Sequence, residues 1–132
     1  MEEKTLSHSD PKSLAAEIVN ILYNKKAHNI KMLHVTDHTV ITDYFVICTG
    51  NSNTQIKALA DELDHKTSLM GLPPKSMEGF NEAAWIVMDY ASVIVHIFNR
   101  ESREFYNLEK LWNDSEVVDI EQLIKKEEET NE

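Results

Sequence analysis

Residues 44–52 of the chain read YFVICTGNS, and this stretch decides the fold class. The run from 44 to 49 is apolar, β-branched or aromatic, without the polar alternation of a half-exposed strand, which predicts a strand covered on both faces. Such coverage is typical of α/β proteins, in which helices lie on both sides of a sheet. Gly50 and Asn51 end the run, and Ser52 with Gln55 forms the capping pattern that begins a helix.

The sequence on either side of this strand alternates between helical and extended patterns. Asp10 followed by Pro11 predicts the start of a helix that ends near residue 25, and Gly71 is placed to end the helix that begins at Ser52. Further strands are predicted at residues 30–35, 75–78, 85–88 and 93–98. The last two form an antiparallel hairpin, so we expect a mixed sheet of about five strands.

The C-terminal part predicts one core helix capped by Asn99 and reaching Trp112. In a continuous helix, Phe105, Leu108 and Trp112 share one stripe, and the opposite stripe carries three polar or amphipathic side chains. Those three are Arg103, Tyr106 and Lys110. A weak helix is predicted over 117–126. We expect a loose arm at residues 1–9, one domain at 10–115 and an acidic extension at 116–132.

Composition narrows the class of partner. The 132 residues have a formal net charge of −10, which argues against DNA or another long phosphate backbone and favours a protein partner. No apolar run is long enough to span a bilayer, and the first six residues lack the features of a signal peptide, so we expect a cytoplasmic protein with no membrane association. The single cysteine fits a reducing compartment.

The residues that could act in catalysis lack the surroundings that catalysis requires. Cys48 lies in the apolar strand, where a thiol is inert. His34 and His38 have the spacing of helical metal ligands, but a predicted turn separates them. Asp43 and Asp89 stand at strand ends without an Asp-x-Asp pair. We therefore predict a protein that is not an enzyme, with no catalytic residue, cofactor or metal.

One alternative from another class stays open. The turn Gly50-Asn51-Ser52 precedes a helix, where free backbone N–H groups can hold a phosphate. The chain would then be a nucleotide-binding or nucleotidyl-transferring protein. No glycine-rich phosphate-binding motif accompanies the turn, and Ser52 is explained as a helix cap.

Several separated blocks resemble the ribosomal silencing factor family, also called the Iojap family. The first is TDYFVICTGNS at residues 42–52. The later blocks follow in the order and spacing of the family's second half, and they are residues 78–79, 85–90, 95–98, 103–106, 108–109 and 111–112. The resemblance covers about residues 10–115. The chain departs from the family at Ala91-Ser92, where relatives often have Gly-Asp or Gly-Asn, and at Thr54, near which they often have Arg.

The resemblance implies a fold, a partner and a mode of action. The fold would be a mixed sheet with helices on both faces, nucleotidyltransferase-like in plan but without the catalytic carboxylates. The protein would bind the large ribosomal subunit through its protein fourteen, block joining of the small subunit and repress translation when nutrients are short. Relatives in organelles act in large-subunit assembly, so a role in assembly alone is the second alternative.

The resemblance also selects a set of partner-binding residues. They are Trp85, Tyr90, His96, Phe98, Arg103, Tyr106, Lys110 and Trp112. Periodicity alone leaves Trp85, Phe98 and Trp112 open as core residues, and it allows His96 to be an interior imidazole. Exposed strand edges, or the face formed by residues 103–112, would also permit a weak homodimer.

Overall fold

The computed structural model describes residues 10–124, which form an open sheet of six strands with helices on both faces. The strands are β1 (His28–His34), β2 (Tyr44–Thr49), β3 (Ser76–Glu78), β4 (Trp85–Asp89), β5 (Val93–Phe98) and β6 (Glu116–Val117). The helices are α1 (Pro11–Asn24), α2 (Asn53–Leu69), α3 (Arg100–Tyr106) and α4 (Leu108–Leu111), and a 3-10 turn covers Ile120–Gln122. The predicted α/β class is confirmed.

Strand β2 lies inside the sheet, as its unbroken apolar run predicts. The strand order is β3-β4-β5-β2-β1-β6, and all six residues of β2 are buried. Strand β2 pairs antiparallel with β1 and parallel with β5, while β4 and β5 form the predicted antiparallel hairpin. The sheet is therefore mixed, and it has one strand more than the five expected.

Both long helices begin at the predicted caps. Asp10 accepts a hydrogen bond at 2.7 Å from the Ser13 hydroxyl at the start of α1. At the start of α2, the Ser52 hydroxyl accepts from the backbone N–H of Gln55 at 3.0 Å. The Gln55 side chain reaches back to accept from the backbone N–H of Asn51. The bond from Gln55 to Ser52 satisfies an N–H group that would otherwise lack a partner in the first turn of α2.

The sheet separates two apolar clusters. The larger one fills the space between the sheet and helices α1 and α2, and alternate residues of β5, such as Val95 and Ile97, point into it. The smaller one lies on the opposite face around Phe45 and Phe98. Leu108 of α4 and the following Trp112, both partly buried, pack against it. Helix α4 therefore lies on the opposite side of the sheet from α1 and α2.

The predicted single helix from residue 100 to Trp112 is wrong, because it is broken at Asn107. Asn107 adopts the left-handed conformation with φ of 49°, which asparagine tolerates better than most residues. Its side chain then caps α4 by accepting from the backbone N–H of Lys110 at 3.3 Å. The break changes the direction of the chain, so stripes derived from one continuous helix do not hold.

The predicted helix at 117–126 is also wrong over its described residues. Glu116 and Val117 extend the sheet by pairing with His34 and Leu33 of β1. The backbone N–H of Val118 donates to Met32 at 2.9 Å, and the 3-10 turn follows. The segment 116–124 thus packs against the sheet and the larger apolar cluster. The remainder of the predicted acidic extension and the predicted arm at 1–9 lie outside the described residues.

Within residues 10–124, no helix combines the length and the apolar character that crossing a bilayer requires.

Candidate partner-binding surface

Seven aromatic rings form a continuous network on the sheet face that carries the smaller cluster. We call this set the aromatic network, and its members are Phe45, Trp85, His96, Phe98, Phe105, Tyr106 and Trp112. Neighbouring rings in it lie between 4.5 and 6.1 Å apart, centroid to centroid. Such distances are typical of favourable aromatic contacts. The network joins the buried face of the sheet to the exposed end of α3.

His96 anchors the network from inside. Its side chain is buried, and its Nδ1 accepts a hydrogen bond at 3.0 Å from the indole Nε1 of Trp85. Burial lowers the pKa of His96 to about 4, so the ring is neutral at physiological pH. An acceptor at Nδ1 requires the proton on Nε2, which has no hydrogen-bond partner among residues 10–124. His96 therefore orients Trp85 and is not itself accessible to a partner.

The exposed end of the network consists of Tyr106 and Phe105. Half of Tyr106 is exposed, and its ring centroid lies 4.5 Å from that of Trp85. Phe105 is 80% exposed and meets Tyr106 edge to face at 5.0 Å. The continuous-helix prediction had placed Phe105 on one stripe with Leu108 and Trp112, and the break at Asn107 separates it from them. Large exposed aromatic side chains side by side are typical of a docking site.

Arg103 occupies a different environment from the exposed one that the helical stripe predicted. Its guanidinium donates to the carboxylate of Glu109 at 2.7 Å, to the hydroxyl of Thr49 at 2.8 Å and to the backbone carbonyl of Asn29 at 2.7 Å. Only 11% of the side chain is exposed. Burial acts to raise the pKa of Glu109, but the hydrogen bond and charge of Arg103 outweigh it and hold that pKa below its usual value. Arg103 thus ties α3 and α4 to the sheet.

Tyr90 and Phe98, two of the residues selected as partner contacts, lie in the core. Both side chains are fully buried. The Tyr90 hydroxyl forms a hydrogen bond of 2.9 Å with the hydroxyl of Thr67, and burial raises the pKa of Tyr90. Thr67 belongs to helix α2, so this helix covers the hydroxyl. Neither side chain offers surface to a partner in this conformation.

The other predicted residues lie at or near the surface. Trp112 is half-buried and meets Phe45 at 5.1 Å, whereas Lys110 is exposed on α4. Leu111, beside it, is 71% exposed and was missed by the sequence analysis. An asparagine directly before Leu108 is a helix-cap signal that would have revealed α4 and, with it, the exposure of Phe105 and Leu111.

The residues considered for chemistry have structural roles. Cys48 is buried, which raises its pKa to about 12. His34 pairs with Glu116 at 3.1 Å and stacks on Tyr44, and no group of three His, Cys, Asp or Glu within residues 10–124 is placed to hold a metal ion. A Cβ on Gly50 would lie 2.6 Å from the Ile56 side chain, so close packing against α2 accounts for this glycine.

Comparisons with known proteins agree on one family. The family model described as "Ribosomal silencing factor during starvation" matches residues 8–132. A ribosomal silencing factor from Halalkalibacterium halodurans is 40% identical over 106 residues, which are 80% of this chain and 91% of that protein. One from Bacillus subtilis is 41% identical over 97 residues, 74% of this chain and 82% of that protein. A mouse relative, 32% identical over 72% of this chain and 43% of its own length, is named for mitochondrial assembly of the ribosomal large subunit.

A solved structure gives the same answer for the fold. The crystal structure of a protein from Bacillus halodurans superposes with a TM-score of 0.73 at 36% identity, covering 82% of this chain and 98% of that one. The match to the family model and the sequence identities of the relatives are higher than a shared fold alone would produce. The chain belongs to the ribosomal silencing factor family.

Proposed function

We propose that this protein silences ribosomes by occupying a surface of the large subunit. In this proposal it binds protein fourteen of that subunit in the cytoplasm, prevents the small subunit from joining and represses translation under nutrient limitation. It catalyses no reaction. The membership of the chain in the ribosomal silencing factor family supports the general role, and the accessible part of the aromatic network supports the mode of binding.

The observation that carries the proposal is the exposure of Phe105 and Tyr106 beside Trp85. Removing these rings from water on binding would gain free energy roughly in proportion to the apolar area covered. Tyrosine and tryptophan are enriched among the residues that dominate protein interfaces. The sheet and the Arg103 hydrogen bonds hold the rings in place, so little conformational entropy is lost when a partner packs against them.

Steric exclusion is a sufficient mechanism for such a protein. A folded domain of this size, bound where the two subunits meet, prevents the small subunit from approaching while it stays bound. The effect then depends on the affinity for the large subunit relative to the affinity between the subunits. No turnover is required, and the buried Cys48 and neutral His96 have no part in it.

Co-sedimentation tests the proposal. We expect the wild-type protein to pellet with purified large subunits and to reduce formation of whole ribosomes when small subunits are added. The variant Phe105→Ala/Tyr106→Ala should bind at least about tenfold more weakly, because two anchor side chains are lost. Lys110→Glu, on the adjoining helix, should also weaken binding.

A matched control removes an equally exposed apolar side chain elsewhere. Leu69 is 71% exposed at the end of α2, on the other side of the sheet, and Leu69→Ala should bind like wild type. Circular dichroism melts check that all variants are folded. Unchanged binding of the Phe105/Tyr106 variant would reject the surface. Normal ribosome formation at saturating wild-type protein would reject the mechanism.

The name of the mouse relative favours a second candidate, a role in large-subunit assembly. The two roles predict different particles in cell extracts. A silencing factor should travel with complete free large subunits in a sucrose gradient, and an assembly factor should travel with immature ones. Exclusive association with immature particles would favour assembly over silencing.

A further inference from the structure

A polar cleft opens on the other side of helix α3 from the exposed rings. It has a volume of about 900 Å³ and lies at the carboxyl ends of the parallel strands β2 and β5. Ligands of α/β proteins commonly bind at this end of parallel strands. Its lining includes His28, Lys31, Thr49, Asn51, Arg100 and Arg103. The cleft shares no residue with the aromatic network.

The floor of the cleft is fixed by hydrogen bonds. Arg103 bonds to Thr49 at the end of β2 and to Asn29 in the irregular start of β1, where the pairing register shifts. On the rim, the Asn51 side-chain nitrogen lies 3.0 Å from Nε2 of His28. The cleft therefore has hydrogen bonds that join its strand ends to α3 before any ligand binds, and small-molecule sites are usually preformed in this way.

The charge of the cleft differs in sign from that of the whole protein. Three cationic side chains, Lys31, Arg100 and Arg103, line it against two carboxylates, Glu104 and Glu109. Arg103 already neutralises Glu109. Within residues 10–124, neither the Lys31 ammonium nor the Arg100 guanidinium makes a side-chain ion pair or hydrogen bond, although the charge of Lys31 helps to lower the pKa of Glu109. A net positive concavity on a chain of formal charge −10 concentrates anions locally.

We infer that this cleft binds a phosphorylated small molecule of mononucleotide size. Lys31 on β1 and Arg100 on α3 would contact the phosphate, and the side-chain amides of Asn51 and Asn107 would donate hydrogen bonds to the rest of the ligand. The volume suits such a molecule, since small-ligand sites span about 300–1,000 Å³. A concave site is poorly shaped for an extended RNA backbone. This inference does not depend on ribosome binding.

Amide NMR titration of the isolated protein tests it. The probes are ATP and pyrophosphate without magnesium, with adenosine as the uncharged comparison. We expect shifts at the Thr49 and Asn51 amides with ATP and pyrophosphate, and little response to adenosine. The variant Lys31→Glu/Arg100→Glu should weaken ATP binding at least about tenfold, which corresponds to about 1.4 kcal/mol.

Matched variants keep the test decisive. Lys12→Glu/Lys75→Glu makes the same change in net charge at exposed lysines outside the cleft and should leave the affinity within about twofold. If the charge reversal lowers thermal stability, Lys31→Gln/Arg100→Gln replaces it. Absence of amide shifts at millimolar ATP, equal losses in the control variant, or binding of an RNA oligonucleotide in place of ATP would each overturn the inference. All three outcomes leave ribosome binding by the aromatic network untouched.

Discussion

His96 should make the stability of the domain depend on pH. Its folded pKa is about 4, whereas an ordinary histidine in the unfolded chain titrates at 6.5. Below pH 6.5 this histidine is protonated in the unfolded chain but stays neutral in the folded protein. Its contribution to the free energy of unfolding is therefore fully present above pH 6.5 and is lost as the pH falls towards 4. The difference between the two pKa values corresponds to about 3 kcal/mol in the free energy of unfolding. About 2 kcal/mol of this stability should be lost between pH 7 and pH 5.

Urea unfolding of wild type and His96→Asn at the two pH values measures this loss. The asparagine oxygen can take the place of Nδ1 as acceptor for the Trp85 indole, but the side chain does not titrate. We therefore expect the free energy of unfolding of His96→Asn to fall by about 2 kcal/mol less than that of wild type. His38→Asn, at an exposed turn position, should behave like wild type. Equal losses in wild type and His96→Asn would refute the reasoning.

Three further outcomes are expected. Ala91 has φ of 72° in the hairpin turn, so Ala91→Gly should raise the free energy of unfolding by about 1 kcal/mol in calorimetry, whereas Ala58→Gly inside α2 should lower it by a similar amount. Arg103→Ala should lower the free energy of unfolding by about 3 kcal/mol, because Glu109 loses its cation. A double-mutant cycle of Arg103 and Glu109 should show a coupling energy above about 0.5 kcal/mol, and additive effects would contradict the structure. Cys48 should react with a thiol reagent only as fast as the protein unfolds, and rapid labelling of the folded protein would contradict its burial.

The parts of the fold that were predicted from sequence rest on local signals. The burial of β2, the caps of α1 and α2 and the β4–β5 hairpin each follow from a few neighbouring residues, and each was confirmed. Strand β6 was missed because it forms only by pairing with a strand more than eighty residues earlier. A two-residue strand has no periodicity of its own.

The candidate surface was predicted only in part, for a related reason. Trp85, Tyr106, Lys110 and Trp112 are accessible, but the predicted directions of the side chains on the C-terminal helix depended on a continuity that Asn107 interrupts. Arg103 shows the consequence most clearly. A helical wheel directs it to solvent, whereas the structure buries it against Glu109 and Thr49 because those groups satisfy its donors.

The pairing of Glu116 and Val117 with β1 also protects the sheet from other chains. Without these residues, the backbone groups of Leu33 and His34 would form an unpaired sheet edge next to the fully buried strand β2. Such edges recruit strands from other molecules and start fibre growth. These two residues therefore shield one end of a sheet edge that could otherwise pair with a strand of another molecule.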